Sequence, residues 1–268
     1  MPIFNERIAL AVEYDGSDFC GWQRQLGQSS IQESLENAIS QITGTEVGII
    51  AAGRTDTGVH ALMQVVHFDS PVKRPLTAWV RGVNSHLPES IAVRFAQQVH
   101  DHFHARFDAC ERQYRYVLCS EPTRPALLSG KVGWTHYELN LSAMQKAMTF
   151  LEGTHDFSSF RASQCQAKSP IKSMRLAQVT QKDNLFFFDF AANAFLHHMI
   201  RNIVGALVYV GAGRLSPTEF AQLIQVKNRV GAPPTFMADG LYLTKVLYPE
   251  LTGFQPPQNV PCWFWGEK

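Results

Sequence analysis

No stretch of this sequence approaches the ~20 uninterrupted apolar residues that a helix needs to span a bilayer, so a helical membrane anchor is excluded as its reading. The N-terminal segment MPIFNERIALAVEYDG carries charges where a secretory leader requires its apolar stretch. A soluble, non-exported, cytoplasmic protein is the expectation. Cysteine is scarce and unpatterned. Cys20, Cys110, Cys119, Cys165 and Cys262 are odd in number and show no CxxC spacing, which argues against a disulfide framework or a thiolate zinc cage and fits a reducing compartment. Neither sign of charge dominates: 24 basic residues against 23 acidic give a net charge of +1. A polyanion partner would therefore have to be gripped by local basic clusters. The phosphate loop GxxxxGK[ST], the dinucleotide loop GxGxxG and the nucleophile elbow GxSxG are all missing, which argues against ATP hydrolysis, nicotinamide chemistry and α/β-hydrolase catalysis.

What is present is an ordinary folding composition: 268 residues, 45% apolar and 18% charged, enough for one large domain or two of usual size. In RIALAVEY, Ile8, Leu10, Val12 and Tyr14 alternate as a strand with one face on a core. Ser30 with Glu33 reads as a capping box opening a helix on Ile31, Leu35, Ile39 and Ile42, ended by Gly44. Strands are predicted over 47–53, 63–68 and 91–99, with a helix over 75–87 opened by Pro75, so the order is β-α-β-β-α-β. From about residue 112 the order recurs: QYRYVLCS as a strand, SAMQKAMTFLEG as a helix ended by Gly153, SMRLAQVTQ and LFFFDFAA as a strand pair around Asp183-Asn184, helices over 195–210 and 217–226, and a closing strand over 240–249. This predicts an α+β protein of two ferredoxin-like halves with largely antiparallel sheets and flanking helices. One half covers 1–104 and the other 105–268, the latter ending in a Pro-rich, aromatic arm with Trp263, Phe264 and Trp265.

The most unusual short stretch is Gly53-Arg54-Thr55-Asp56-Thr57-Gly58-Val59-His60, directly after an apolar strand. Its glycines permit a sharp turn and close backbone approach, and it displays Arg54 and Asp56 at a strand end, where functional groups collect; the plainer reading is a polar turn with a local Arg-Asp pair. His100, His102 and His104 share a face if extended and could bind zinc, yet no carboxylate or cysteine completes a familiar ligand spacing. His197-His198 point about 100° apart on a helix and cannot share an ion as i, i+4 ligands do. His155, Asp156 and Ser158 are adjacent in sequence, whereas triads are defined by geometry. Basic residues gather as Arg106, Arg112 and Arg115, as Arg161, Lys168, Lys172 and Arg175, and as Lys73, Arg74 and Arg81. Tyr114, Tyr116, Phe157 and Phe160 are candidate stacking faces beside them; ordinary solvated faces and core aromatics are the competing reading.

Taken together, EYDGSDFCGWQRQ (13–25), GRTDTGVHA (53–61), FHARFDACERQYRY (103–116), DFSSFRA (156–162), NAFLHHMIRNIVGAL (193–207) and GLYL (240–243) resemble the TruA family of tRNA pseudouridine synthases, in order over roughly residues 7–249. The resemblance implies isomerisation of uridines at positions 38–40 of the tRNA anticodon stem-loop, without an organic cofactor or metal, by a homodimer. It implies Asp56 as the nucleophile, in a motif where the family most often has alanine at the position of Thr57. It further implies Tyr114 packing on the target base and assisting proton transfer, Arg201 pairing with the catalytic aspartate, Arg54 holding the base out of its helix, and Leu243 in the base pocket. The chemistry suits these residue types. A carboxylate can attack the sugar or the base, a neighbouring arginine keeps it ionised, and a stacked uridine must be flipped out. Two alternatives stand beside this reading: a non-catalytic tRNA-binding chaperone of the same fold, and a metal-dependent hydrolase using His100, His102 and His104.

Overall fold

The computed structural model describes residues 6–257; the expected arm with Trp263, Phe264 and Trp265 lies outside them. The chain divides into two compact units, one of residues up to 110 together with those from 243 onward, the other of residues 111–242. Among the described residues no helix is long and apolar enough to cross a membrane.

The first unit contains β1 (Glu6–Tyr14), α1 (Ile31–Thr43), β2 (Ile50–Ala51), β3 (His60–Ser70), a helix over 76–84, and β4 (Ile91–Val99). Its strands lie in the order β4-β1-β3, with β2 pairing β3, the arrangement of a ferredoxin-like half. β1 is antiparallel to both neighbours, Leu10 facing Val66 and Ala96. Alternation in β1 is one of size: Ile8, Leu10 and Val12 fill one face, and the small Ala9 and Ala11 are buried as well. The Ser30 side chain caps α1 by accepting from the Glu33 amide at 3.3 Å, one of the two bonds of a capping box, and Gly44 closes the helix at φ 75°. The strand expected over 47–53 shrinks to two residues because α1 takes its amides. Val47 donates to Ser40 Oγ and Ile49 to the buried Glu36 Oε1. The helix after Pro75 contains a π-helical turn, Ala78–Gly82, that sinks Trp79 edge-on against Phe68.

The second unit contains β5 (Glu111–Ser120), β6 (Gly133–Thr135), α2 (Leu141–Met148), β7 (Gly153–Asp156), β8 (Ile171–Lys182), β9 (Leu185–Ala192), α3 (Met199–Gly211) and α4 (Pro217–Val226). Of β10 (Leu241–Leu247), the first two residues belong to this unit and the remainder to the first. The order β10-β5-β9-β8-β7 repeats the ferredoxin-like pattern, with β7 added at the edge and β6 pairing β5 in parallel. The β8–β9 hairpin turns at Asp183 in the left-handed conformation, φ 54°. Phe186, Phe188 and Phe190 of β9 are buried, and α2 packs on α3, α4 and β8. The fold is thus α+β with largely antiparallel sheets and flanking helices, as the pattern of elements predicted. Two boundaries differ from that pattern. Gly153 begins a strand instead of capping a helix. The helix expected from 195 begins at Met199, because His198 adopts φ 60°, a conformation that cannot propagate a right-handed helix.

Candidate active site

Asp56 lies on the loop joining β2 to β3, half-buried, between the buried Thr55 and the exposed Thr57; Arg54 is exposed. Four anchors hold this loop. Gln64 on β3, fully buried, donates its amide to the Gly53 carbonyl at 2.8 Å. The Tyr14 hydroxyl at the end of β1 is 2.8 Å from Thr55 Oγ1. The Trp22 amide donates to the Thr55 carbonyl at 3.0 Å, and the Val59 amide closes a turn onto the Asp56 carbonyl at 3.1 Å. Gly58 takes φ 77° in that turn, where a side chain would be strained. Burial pushes the Tyr14 phenol up to about 12, the bonds to Thr55 and Gln64 pulling the other way; it is protonated at any working pH.

Segment 13–25 wraps this loop at backbone contact. A Cβ on Gly16 would run into the Val59 carbonyl, and one on Gly21, itself at φ 84°, would sit 2.9 Å from the Thr55 carbonyl and 3.0 Å from the Thr57 amide. Trp22, 2% exposed, packs beside Tyr14 with ring centroids 6.0 Å apart. The glycines of DGSDFCG therefore let two irregular stretches touch main chain to main chain. Leu243, also in this unit, is buried.

In the second unit Tyr114 is half-buried on β5, opposite Phe190 of β9, with its ring edge-to-face against Phe195 at 5.1 Å. Arg201 sits in the first turn of α3. A cation there faces the positive end of the helix dipole, an unfavourable placement by about 0.3–1 kcal/mol. Its Nε donates to the Phe236 carbonyl at 3.0 Å while its own carbonyl accepts the Phe236 amide at 3.1 Å. The residue opening the helix, His198, is one of three non-glycine residues at positive φ among the described ones, the kind of strain that gathers at functional sites. Gly205 lets the segment after Pro234 lie directly on α3, since a Cβ would strike the Pro234 carbonyl. Asn202, 1% exposed, ties the neighbourhood together: its Nδ2 donates to the Phe160 carbonyl at 2.8 Å and its Oδ1 accepts from Thr235 at 2.6 Å and Arg229 at 3.2 Å. Tyr116, fully buried, donates to the Met237 carbonyl at 3.0 Å, and burial raises its phenol well above the ordinary value.

Other candidates from the sequence resolve plainly. Tyr116, Phe157 and Phe160 are fully buried core rings and offer no stacking face; Tyr114 is half-exposed. His100 and His102 stack on each other, and His104 Nδ1 accepts the Arg106 and Phe107 amides. These three histidines do not form a metal-binding group among the described residues. Ser158 donates to Asp156 at 2.6 Å, holding that carboxyl below its usual range, and His155 Nε2 faces the Glu152 carbonyl; no serine-histidine relay exists there. Within the basic clusters, Arg115 pairs with Asp189 and Arg175 with Glu111. Sequence reasoning missed Tyr14, Gln64 and the clasp of Gly16 and Gly21. The signal was the pair of glycines five residues apart directly after a strand.

A family model described as tRNA pseudouridine synthase matches residues 10–108 and 147–249. The chain is 55% identical over 253 residues to tRNA pseudouridine synthase A of Dechloromonas aromatica, covering 94% of this chain and 97% of the relative. It is 57% identical over 259 residues to the protein of that name from Neisseria meningitidis serogroup C, covering 96% and 97%, and 56% identical over 245 residues to that of Chromobacterium violaceum, covering 91% and 94%.

Proposed function

The chain belongs to the tRNA pseudouridine synthase family, and from that premise we propose that Asp56 is the nucleophile that converts uridines at positions 38–40 of the anticodon stem-loop to pseudouridine. The class of enzyme, an isomerase, follows from the family; the position modified and the residue roles are this proposal. The observation that carries it is the anchoring of the Asp56 loop by Tyr14, Trp22 and Gln64 at 2.8–3.0 Å. Preorganisation of this kind fixes a carboxylate for attack instead of leaving it to solvent.

In this reading Asp56 attacks the uridine at the sugar or the base, the N1–C1′ bond breaks, and the uracil turns within the site. C5 then bonds to C1′ and the bond to Asp56 breaks, freeing the carboxylate; the C5 hydrogen leaves as a proton while N1, released from the sugar, takes one up, so the product is an isomer of the substrate and no redox step arises. Arg201 is the cation assigned to keep Asp56 ionised, the neighbouring-charge effect on a carboxyl. Tyr114 supplies the ring against which the extruded base packs and assists removal of the C5 proton; Leu243 is an apolar wall. Arg54 steadies the base outside its stack, where flipping costs a few kcal/mol. The chemistry calls for no metal or organic cofactor. The proposal includes a homodimer acting in the cytoplasm, with no membrane partner.

Tritium release from tRNA labelled at C5 of uridine tests this directly. The wild-type protein should release tritium, and Asp56→Asn should slow release by at least about a thousandfold while still binding tRNA. Binding without release by the wild type would favour the non-catalytic tRNA chaperone instead. Mapping pseudouridine in the product tRNA checks the 38–40 assignment.

A further inference from the structure

Phe107 is the one exposed phenylalanine, tyrosine or tryptophan among the described residues, 75% exposed. A large ring in water is unremarkable on a loose loop, but this ring is held. It stacks on His104 with centroids 4.2 Å apart and planes 25° from parallel. His104 is in turn fixed by its Nδ1, which accepts both the Arg106 and Phe107 amides at 3.2 Å. The turn is closed twice more, by the Asp108 carboxylate accepting the His104 amide at 2.7 Å and by the Asp108 amide donating to the His104 carbonyl at 3.0 Å. Beneath it His104 meets the buried His67 at 5.0 Å, and His67 meets the buried Phe103 edge-on at 5.9 Å. Phe103 is clamped between Tyr248 and Phe254. The Arg106 guanidinium lies 5.8 Å from the Phe107 ring centre.

We propose that the His104–Phe107 stack is a docking platform for an unpaired nucleobase of the RNA substrate, separate in its role from the base that reacts. The proposal rests on the reading that the chain acts on tRNA. A rigid aromatic face in solvent, stacked from below and flanked by a guanidinium, has the chemistry by which proteins take up splayed bases: π-stacking that tolerates any base, with a cation beside it. The exposed aliphatic residues Leu26, Leu127 and Val230 offer no π face and do not share this chemistry. Order in the turn also means that little conformational entropy is lost when a base lands on it.

The test is equilibrium binding of full-length tRNA to the intact protein, with its oligomeric state followed by sedimentation. Phe107→Ala should raise the Kd about tenfold with the melting temperature unchanged, and Phe107→Trp should restore wild-type affinity. The slope of log Kd against log salt should stay the same, because that slope counts phosphate contacts and not stacked bases. Wild-type affinity in Phe107→Ala, or failure of Phe107→Trp to restore it, overturns the platform. A change of oligomeric state in Phe107→Ala also overturns it, assigning the ring to a contact with a second copy of the chain. If the wild type itself neither binds tRNA nor releases tritium, the functional reading fails and not the stacking argument alone.

Discussion

In the first unit Asp56 rides on an irregular loop whose position is set by main-chain contact with another irregular stretch, through Gly16, Gly21 and the amide of Trp22. In the second unit Tyr114 and Arg201 project from a strand and a helix, and the nearby segment after Pro234 is laid onto that helix at Gly205. Each unit has the same ferredoxin-like strand order, and in each a buried tyrosine of its first strand hydrogen-bonds a loop: Tyr14 to Thr55, Tyr116 to Met237. The contrast shows two ways of placing a side chain. A regular element fixes it by packing, whereas a loop fixes it only if other backbone can come close enough, which demands glycine at the points of contact.

The largest effect should come from closing those contacts. Gly16→Ala and Gly205→Ala each drive a methyl group into a carbonyl, and each should cost about 1–3 kcal/mol of stability, measured by urea unfolding. The comparison is sharpened by rate. At a temperature where both variants are folded, Gly16→Ala should slow single-turnover tritium release more than Gly205→Ala, because Val59, the group displaced, is three residues from Asp56 and closes its turn. The reverse ranking would break the distinction between loop and regular scaffold.

A second difference is the polar group that ties each unit together. The second unit uses Asn202, which carries no titratable proton. The first uses His67, whose Nδ1 accepts the Ala105 amide at 3.1 Å. Burial, reinforced by Arg7 and His104, lowers the His67 ring from 6.5 to about 4. The native state therefore prefers the neutral ring, while the unfolded chain takes up a proton below about pH 6.5. The stabilisation is complete above pH 6.5 and lost as the pH falls toward 4, where the native ring also protonates; allowing for partial solvation it amounts to about 2 kcal/mol. His67→Asn, which keeps an acceptor for Ala105, should flatten the fall of stability between pH 6.5 and 4, whereas Asn202→Asp should not reproduce that flattening. An unchanged slope in His67→Asn would remove His67 as the source.

Much of this was legible in the sequence, and for identifiable reasons. Strand and helix order followed from periodicity, since Ile8, Leu10 and Val12 or Ile31, Leu35 and Ile39 must face a core wherever the elements end up. Boundaries were less legible wherever side chains competed for backbone groups. Ser40 and Glu36 take the amides of Val47 and Ile49 and so dissolve most of a predicted strand. His198 enters the left-handed region and starts α3 four residues late. Asp56 stood out because a glycine-bounded, charged loop after a strand is unusual. Tyr14 and Gln64 did not, because a tyrosine or glutamine in an apolar strand carries no mark of which loop it will reach. Phe107 was hidden among the buried aromatics for the same reason: exposure is a property of the folded turn and not of the residue type.

The smallest effect separates the two tyrosines. Tyr14→Phe removes a hydroxyl bonded to Thr55 and Gln64 and Tyr116→Phe one bonded to the Met237 carbonyl, so each should lower stability by about 1 kcal/mol. Their effects on the reaction should diverge. Tyr14 holds Thr55, adjacent to Asp56, and its loss lets the loop drift without touching the RNA. Tyr14→Phe should therefore lower kcat about fivefold, the rate equivalent of that lost bond, with KM for tRNA unchanged and the pH-rate profile keeping its shape, because a phenol pushed up to about 12 does not titrate in the working range. Thr55→Ala should give the same loss, the double variant should be no slower than either single one, and Thr55→Ser, which keeps the hydroxyl, should recover most of the rate. Tyr116→Phe, whose hydroxyl donates to the Met237 carbonyl within the second unit, should leave kcat within about twofold. Equal rate losses in the two variants would mean that Tyr14 acts through general stability, and the loop would then owe its position to the glycine contacts alone.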